Sequence, residues 1–224
     1  MSSSMSRQRS PPTCGGSHES VILDTATTGS RRDRLTVTQA AARLDPGGRP
    51  QYVEGITAHR WAKDTYLRTA ADSPLRRPGA EVRALTYFPV DDRYRITVPR
   101  LRRPASGDRP LALDTSDGLR RIARRLALLD FDLDGQRMTL TAFGFGPTDR
   151  GTLFVPFADA TSGTETYSGG RYLDLEIEPD GSVVLDFNLA YHPYCVYSGA
   201  YSCPLTPGEN RLPVPIVAGE RLPT

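Results

Sequence analysis

The stretch that decides the fold class is Tyr172-Leu173-Asp174-Leu175-Glu176-Ile177, then Glu178-Pro179-Asp180-Gly181, then Ser182-Val183-Val184-Leu185-Asp186-Phe187. Its first arm alternates apolar and acidic side chains with a period of two, which is typical of a strand with one buried face. The Pro-Asp-Gly connection favours a turn between two strands. The stretch therefore predicts an antiparallel hairpin, with Asp174 and Glu176 on its solvated face.

Further strands are predicted on the N-terminal side of this hairpin, each a short apolar run bounded by turn residues. They are 85–88, 94–98, 111–113 and 152–157. Residues 119–131 are ambiguous, because they suit either a helix or the first arm of a hairpin that turns at Asp134-Gly135. With 20 glycines and 19 prolines among 224 residues, the composition also favours strands and turns over long helices.

One helix is predicted over 55–71, ahead of the strands, with Ile56, Trp61, Tyr66 and Leu67 roughly on one face. Residues 1–50 are predicted to be a disordered or loosely packed N-terminal arm, since the first 20 residues are rich in serine, proline and glycine. Residues 51–224 are predicted to form a single mainly-β domain. We expect an antiparallel arrangement, either barrel-like or two-layered, preceded by the helix.

The charge balance and hydropathy exclude several classes of protein. The formal net charge is +2, from 28 basic and 26 acidic residues, which argues against a nucleic-acid partner. No apolar stretch is long enough for a membrane span, and no secretory signal precedes the domain, so a cytoplasmic location is expected. Lys63 is the only lysine beside 27 arginines, a skew that indicates a high-GC genome.

Polar residues of many kinds are concentrated between 157 and 220, on segments predicted to be loops at the ends of strands. Such loops are where binding residues are commonly found. The motifs are Phe157-Ala158-Asp159-Ala160-Thr161-Ser162-Gly163, Glu165-Thr166-Tyr167, Gly170-Arg171-Tyr172-Leu173, Asp186-Phe187-Asn188, Pro193-Tyr194-Cys195, Cys203-Pro204-Leu205, Glu209-Asn210-Arg211-Leu212-Pro213-Val214 and Ala218-Gly219-Glu220.

These motifs resemble the signature of a bacterial family called domain of unknown function 1684. The resemblance extends from about residue 55 to the C-terminus, and residues 1–50 lie outside it. It implies no activity, because the family has no agreed one. One position departs from the family pattern, since His192 stands where the family usually has asparagine.

The leading functional hypothesis is a small-molecule enzyme of specialised metabolism that uses acid–base chemistry in a polar pocket. His192, with Asp186 or Glu209, would transfer protons, since the unperturbed pKa of histidine lies near neutrality. Arg171 and Asn188 would anchor the ligand; equally, Arg171 could pair with an internal carboxylate. The other expected ligand contacts are Thr166, Tyr167, Tyr194 and Asn210. The alternative is a non-catalytic ligand-binding or structural β module, and a homodimer is left open.

Cys195 and Cys203 allow four interpretations. The preferred one is that both are buried thiols that pack as small hydrophobic groups. The others are a disulfide, a thiol nucleophile activated by His192, and a zinc site of the two cysteines and His192. Their spacing matches no standard zinc signature, and no phosphate-binding loop identifies a flavin site. No cofactor is therefore expected, with zinc and flavin kept only as weaker alternatives.

Overall fold

The computed structural model describes residues 48–71, 73, 75, 84–107, 109–146 and 152–223. Besides four short 3-10 helices, its elements within these ranges are one α-helix and nine strands. They are α1 Arg49–Thr69, β1 Thr86–Tyr87, β2 Arg95–Val98, β3 Pro110–Asp114, β4 Arg120–Leu133, β5 Gln136–Gly144, β6 Thr152–Phe157, β7 Arg171–Glu176, β8 Val183–Asp186 and β9 Glu220–Arg221. The predictions for the N-terminal arm, apart from residues 48–50, fall outside the described residues.

The strands form three antiparallel sheets. The largest has the order β3-β4-β5-β6-β7, while β2 pairs with β8 and β1 pairs with β9. Among the described residues the sheets do not close into a barrel. The predicted fold class, mainly β and antiparallel with an N-terminal helix, is confirmed.

The hairpin predicted over 172–187 is wrong in its pairing, although both arms are strands. The turn forms, with the Glu178 N–H donating to the Ser182 carbonyl oxygen and Gly181 N–H donating back to Glu178. Beyond it the arms separate, because β7 pairs with β6 and β8 pairs with β2. The turn therefore connects two sheets, and each arm is hydrogen-bonded to another strand rather than to the other arm.

The ambiguity at 119–131 is settled as a strand. The 14-residue β4 continues through Asp134 and Gly135 into β5 as a hairpin. Both turn residues have positive φ, 51° and 77°, which matches the right-handed twist of the flanking strands. A register shift between Arg125 and Ala127 marks an irregularity in the middle of β4.

Helix α1 begins at Arg49, so it takes in the last residues of the predicted arm, and it ends at Thr69 rather than 71. Its buried residues are Tyr52, Ile56 and Leu67. Trp61, predicted on the same face, is instead 66% exposed. Trp61 comes directly after Arg60 in the helix. Because adjacent helix residues point in different directions, Trp61 faces away from the body of the protein.

The main hydrophobic core lies between the large sheet and the β2–β8 pair. Leu129, Leu140, Val155 and Leu173 contribute from the large sheet, and Leu185 contributes from β8. No helix of the described residues is both long enough and apolar enough to cross a membrane. The motifs of 157–220 contribute apolar side chains to this core, among them Phe157, Phe187 and Ala218.

Candidate functional site

Arg171, which the sequence indicated as a ligand anchor or an internal ion-pair partner, is fully buried and donates to the chain itself. Its Nη2 lies 2.9 Å from Asp159 Oδ2 and 2.7 Å from the Ile216 carbonyl oxygen. Its Nη1 donates to the carbonyl oxygens of Ala218 and Glu220. Burial of a guanidinium is tolerated when its charge is paired and its donors are matched, and here the two Nη atoms are matched whereas Nε has no acceptor among the described residues. The arginine thus fixes the C-terminal segment to the start of β7.

Gly170 explains how this arginine reaches its position. The φ of Gly170 is +98°, and a Cβ there would lie 2.5 Å from the Phe157 carbonyl oxygen. Only glycine combines this left-handed conformation with such a close approach of the backbone. The Arg171 guanidinium then lies 5.2 Å from the centroid of the Phe157 ring.

Asn210 and Glu209 are adjacent in sequence but contact different parts of the chain. Pro156 lacks an N–H, so it cannot pair with Thr141, which the β5–β6 register places opposite it. The Asn210 side chain bridges the two strands instead. It donates to the carbonyl oxygens of Thr141 and Pro156, at 2.8 and 2.6 Å, and accepts from the Thr141 N–H at 2.8 Å. Glu209 lies on the surface, bound at 2.8 and 2.9 Å by Arg125.

Thr166 and Tyr194, two further predicted ligand contacts, also have neighbours within the chain. The Thr166 hydroxyl is buried 2.9 Å from that of Thr161. The Tyr194 ring lies 5.3 Å, centroid to centroid, from the Tyr201 ring. Their roles toward a ligand stay predictions.

Asp186 and Asn188 attach helix α1 to the end of β8. Both Asp186 oxygens accept from the Tyr52 hydroxyl, at 2.9 and 2.8 Å. Asn188 Nδ2 donates to the same hydroxyl at 2.9 Å and to the Asp91 carbonyl oxygen at 2.7 Å. Burial raises the pKa of Asp186, although the hydrogen bonds from Tyr52 and Asn188 oppose this. The network joins three segments of the chain: the helix, the loop at Asp91 and the end of β8.

We expect Tyr52→Phe to lower the free energy of unfolding by about 1–2 kcal/mol, because a buried carboxylate loses a hydrogen bond. Chemical denaturation measures the change. Trp61→Phe, on the exposed side of the same helix, is the matched control and should stay within about 0.5 kcal/mol of the parent. Equal effects of the two changes would contradict the role of Tyr52 in docking the helix.

Four titratable residues from three distant segments converge on the Glu220 carboxylate, and we call the five residues together the Glu220 cluster: Lys63, Tyr87, His192, Tyr197 and Glu220. Glu220 Oε1 lies 2.6 Å from Lys63 Nζ. Its Oε2 accepts from the backbone N–H of His192 at 2.7 Å and from the Tyr197 hydroxyl at 3.1 Å. Tyr87 lies directly opposite Glu220 in the β1–β9 pair, so the two side chains project from the same face.

The electrostatics of the cluster keep Glu220 ionised and His192 neutral. Burial alone would raise the pKa of Glu220, but the charge of Lys63 and the hydrogen bonds from Lys63 and from the His192 backbone N–H outweigh it, and the pKa falls below its ordinary value. Burial lowers the pKa of His192 to about 4, against the opposing charge of Glu220. The His192 Nε2 accepts from the backbone N–H of Tyr167 at 3.3 Å. Burial and the charge of Glu220 raise the pKa of both Tyr87 and Tyr197.

Arg60 adds a second positive charge next to the cluster. Its guanidinium lies 4.6 Å from the centroid of the Tyr87 ring. Two of its nitrogens donate to the carbonyl oxygens of Phe88 and Asn188, at 2.8 and 3.1 Å. Its Nε and the Tyr87 hydroxyl are both shielded from solvent with no hydrogen-bond partner among the described residues. Two neighbouring side chains therefore each present a buried donor without an acceptor.

Cys195 and Cys203 are thiols in mutual contact. The backbone N–H of Cys195 donates to Cys203 Sγ at 3.3 Å, and contact with Cys203 together with burial raises the pKa of the Cys195 thiol. In the described part of the chain, no group of three or more His, Cys, Asp or Glu residues could hold a metal ion. The activation of either thiol by His192 stays a prediction.

Residues 80–221 match the family described as "Protein of unknown function (DUF1684)". The chain belongs to this family. The DUF1684 chain is also similar to the solution NMR structure of the uncharacterized protein from gene locus rrnAC0354 of Haloarcula marismortui. The two are 37% identical, with a TM-score of 0.58, over 77% of this chain and 95% of that one. No curated protein matches the chain, and its bacterial source stays a prediction.

The matched range contains Glu220 and every site residue predicted from the sequence, but not Lys63 or Arg60. Sequence reasoning missed the Glu220 cluster as a unit, because Lys63 and Arg60 lie on the predicted helix, far from the polar motifs of 157–220. One signal was available. The spacing of Tyr52, Ile56, Arg60, Lys63 and Leu67 is four, four, three and four residues, which is one continuous stripe on a helix.

Proposed function

We propose that this DUF1684 protein binds a small anionic molecule beside the Glu220 cluster. The observation that carries the proposal is the pair of shielded donors, Tyr87 Oη and Arg60 Nε, which have no acceptor among the described residues. Buried polar groups are almost always hydrogen-bonded, and one that is not needs an explanation such as a ligand or an ordered water. An oxygen-rich ligand would satisfy both donors.

Charge supports an anion as that ligand. Lys63 and Arg60 each contribute a positive charge, whereas Glu220 is the carboxylate that Lys63 neutralises. Arg60 binds carbonyl oxygens, which carry no formal charge. A carboxylate is favoured near such a guanidinium, because charge-assisted hydrogen bonds are about twice as strong as neutral ones.

The geometry favours binding over acid–base catalysis by the predicted residues. Asp186 and Glu209 each belong to another network, with Tyr52 and with Arg125. His192 carries a pKa near 4, and general acid–base catalysis is most efficient with a pKa near the working pH. Its Nε2 also already accepts the Tyr167 N–H.

A small-molecule enzyme is the second candidate, and one observation favours it. The Tyr197 hydroxyl lies 3.1 Å from Glu220 Oε2 and 3.5 Å from His192 Nδ1, while 36% of the residue is exposed. This contact could pass a proton between a bound molecule and the two buried groups. If the protein is such an enzyme, Tyr197→Phe should abolish turnover but leave ligand binding within a few-fold of the parent.

Native mass spectrometry of the full chain tests the binding proposal, followed by thermal unfolding with acetate, citrate and inorganic phosphate as probes. We expect a retained mass or a rise in melting temperature with at least one probe. Tyr87→Phe should lose that response while keeping the stability of the parent, because the hydroxyl it removes has no described partner.

Tyr172→Phe is the reciprocal control. Its buried hydroxyl donates to the Pro204 carbonyl oxygen, so its loss should cost about 1 kcal/mol of stability and leave the response to the probe intact. A bare mass with no thermal response in the parent protein would overturn the proposal. So would a Tyr87→Phe protein that responds as the parent does.

A further inference from the structure

We propose that Cys195 and Cys203 form a reversible disulfide by exchange with a low-molecular-weight disulfide of the glutathione type. The proposal does not depend on the ligand site above, although the loop between the two cysteines carries Tyr197 of the Glu220 cluster. Both residues are thiols in the structure. The proposal rests on their contact, on their unequal exposure, and on the short loop that joins them.

The contact between the cysteines is direct. Cys203 Sγ accepts the Cys195 backbone N–H at 3.3 Å, and the two thiols are also hydrogen-bonded to each other. A disulfide requires the two Cβ atoms to face each other at about 3.5–4.5 Å. Two thiols that already lie in hydrogen-bonding contact need little backbone movement to reach this geometry.

Exposure differs between the two thiols in the way that exchange requires. Cys195 is half-buried, whereas Cys203 is completely buried. A dissolved disulfide therefore has better access to Cys195 than to Cys203. The connecting loop contains the exposed Gly199, and a Cβ added there would meet no atom within 4 Å, so the loop has room to adjust.

The chemistry balances in two steps. The Cys195 thiolate attacks glutathione disulfide, which forms a Cys195–glutathione bond and releases one glutathione that takes up the proton. The Cys203 sulfur then attacks Cys195 Sγ, loses its own proton and releases the second glutathione. The two thiols are oxidised by two electrons, and one glutathione disulfide is reduced to two thiols.

The raised pKa of Cys195 sets the conditions for the test, since the thiolate is the attacking species. The reaction should be slow at neutral pH and faster under mildly alkaline conditions. The full chain is therefore equilibrated for hours with mixtures of oxidised and reduced glutathione. Cys14→Ser is used throughout, so that only two thiols remain.

Trypsin makes the readout simple. It cleaves after Arg171 and Arg211 and finds no lysine or arginine between them, so one peptide, 172–211, holds both cysteines. We expect this peptide to lose the mass of two hydrogens in oxidised glutathione and to regain it with an excess of a reducing dithiol. A peptide that keeps both thiols, or that only gains glutathione, would overturn the proposal.

Two variants separate the roles of the thiols. Cys203→Ala should trap one glutathione on Cys195, because the second step cannot occur. Cys195→Ala should leave the buried Cys203 as a thiol. If either variant folds poorly, the peptide mass of the Cys14→Ser protein still decides the question.

Discussion

Arg171→Met should lower the free energy of unfolding by about 3–5 kcal/mol, the cost of leaving one charge of a buried ion pair without its partner. The side chains of Arg171 and Asp159 are both completely buried and lie 2.9 Å apart. The change also removes the donors to three carbonyl oxygens, including those of Ile216 and Glu220. Chemical denaturation followed by circular dichroism measures the loss.

The surface pair of Arg125 and Glu209 supplies the control for this prediction. Its geometry is just as close, at 2.8 Å, but the two side chains are 26% and 35% exposed. Exposed pairs contribute about 0–1 kcal/mol, so Arg125→Met should have a small effect. If Arg171→Met is no more destabilising than Arg125→Met, then the ion pair at Arg171 does not hold the C-terminal segment.

Acidification should destabilise the protein through His192 by about 3 kcal/mol between pH 7 and pH 4. Burial lowers the pKa of His192 from 6.5 to about 4, and each pKa unit corresponds to about 1.4 kcal/mol. Between these values the unfolded chain binds a proton that the folded chain does not. Stability therefore falls as pH falls through this window and is constant with respect to this group above pH 6.5.

His192→Asn isolates this contribution, and asparagine is the residue that the resemblance to the family leads us to expect at this position. Denaturation curves of both proteins at pH 7, 6, 5 and 4 should show a shallower decline in the variant. The groups around the ring remain in both proteins, including Glu220, Tyr197, Lys63 and Arg171. Parallel declines in the two proteins would contradict the burial of a neutral histidine.

Local sequence patterns were reliable where a strand or turn depends on its own residues. The alternation at 172–176 places Leu173 and Leu175 in the core, and Asp134-Gly135 makes the turn that its dipeptide favours. The pairing of the 172–187 arms was not local. It depends on which distant strands lie beside each arm, and β2 is about 85 residues from β8 in the chain.

The candidate site shows the same division between what local sequence predicts and what distant contacts decide. The sequence located many polar side chains at 157–220, but the type of a side chain does not reveal its partners. Asn210 could bind a ligand amide as readily as a backbone, and only the position of Pro156 beside Thr141 gives it a backbone to bind. Glu220 resembled any other carboxylate until helix α1 brought Lys63 against it.

By itself the sequence determined the fold class, the membership of the DUF1684 family and the segments that would carry polar groups. These follow from periodicity, turn chemistry and long motifs, each of which is a property of neighbouring residues. The tertiary structure decided which strands pair, which face of the helix points inward, and that Arg171 and Asp186 bind the chain itself. Those outcomes depend on contacts between residues far apart in the chain, where burial and the pairing of each charge set the energy.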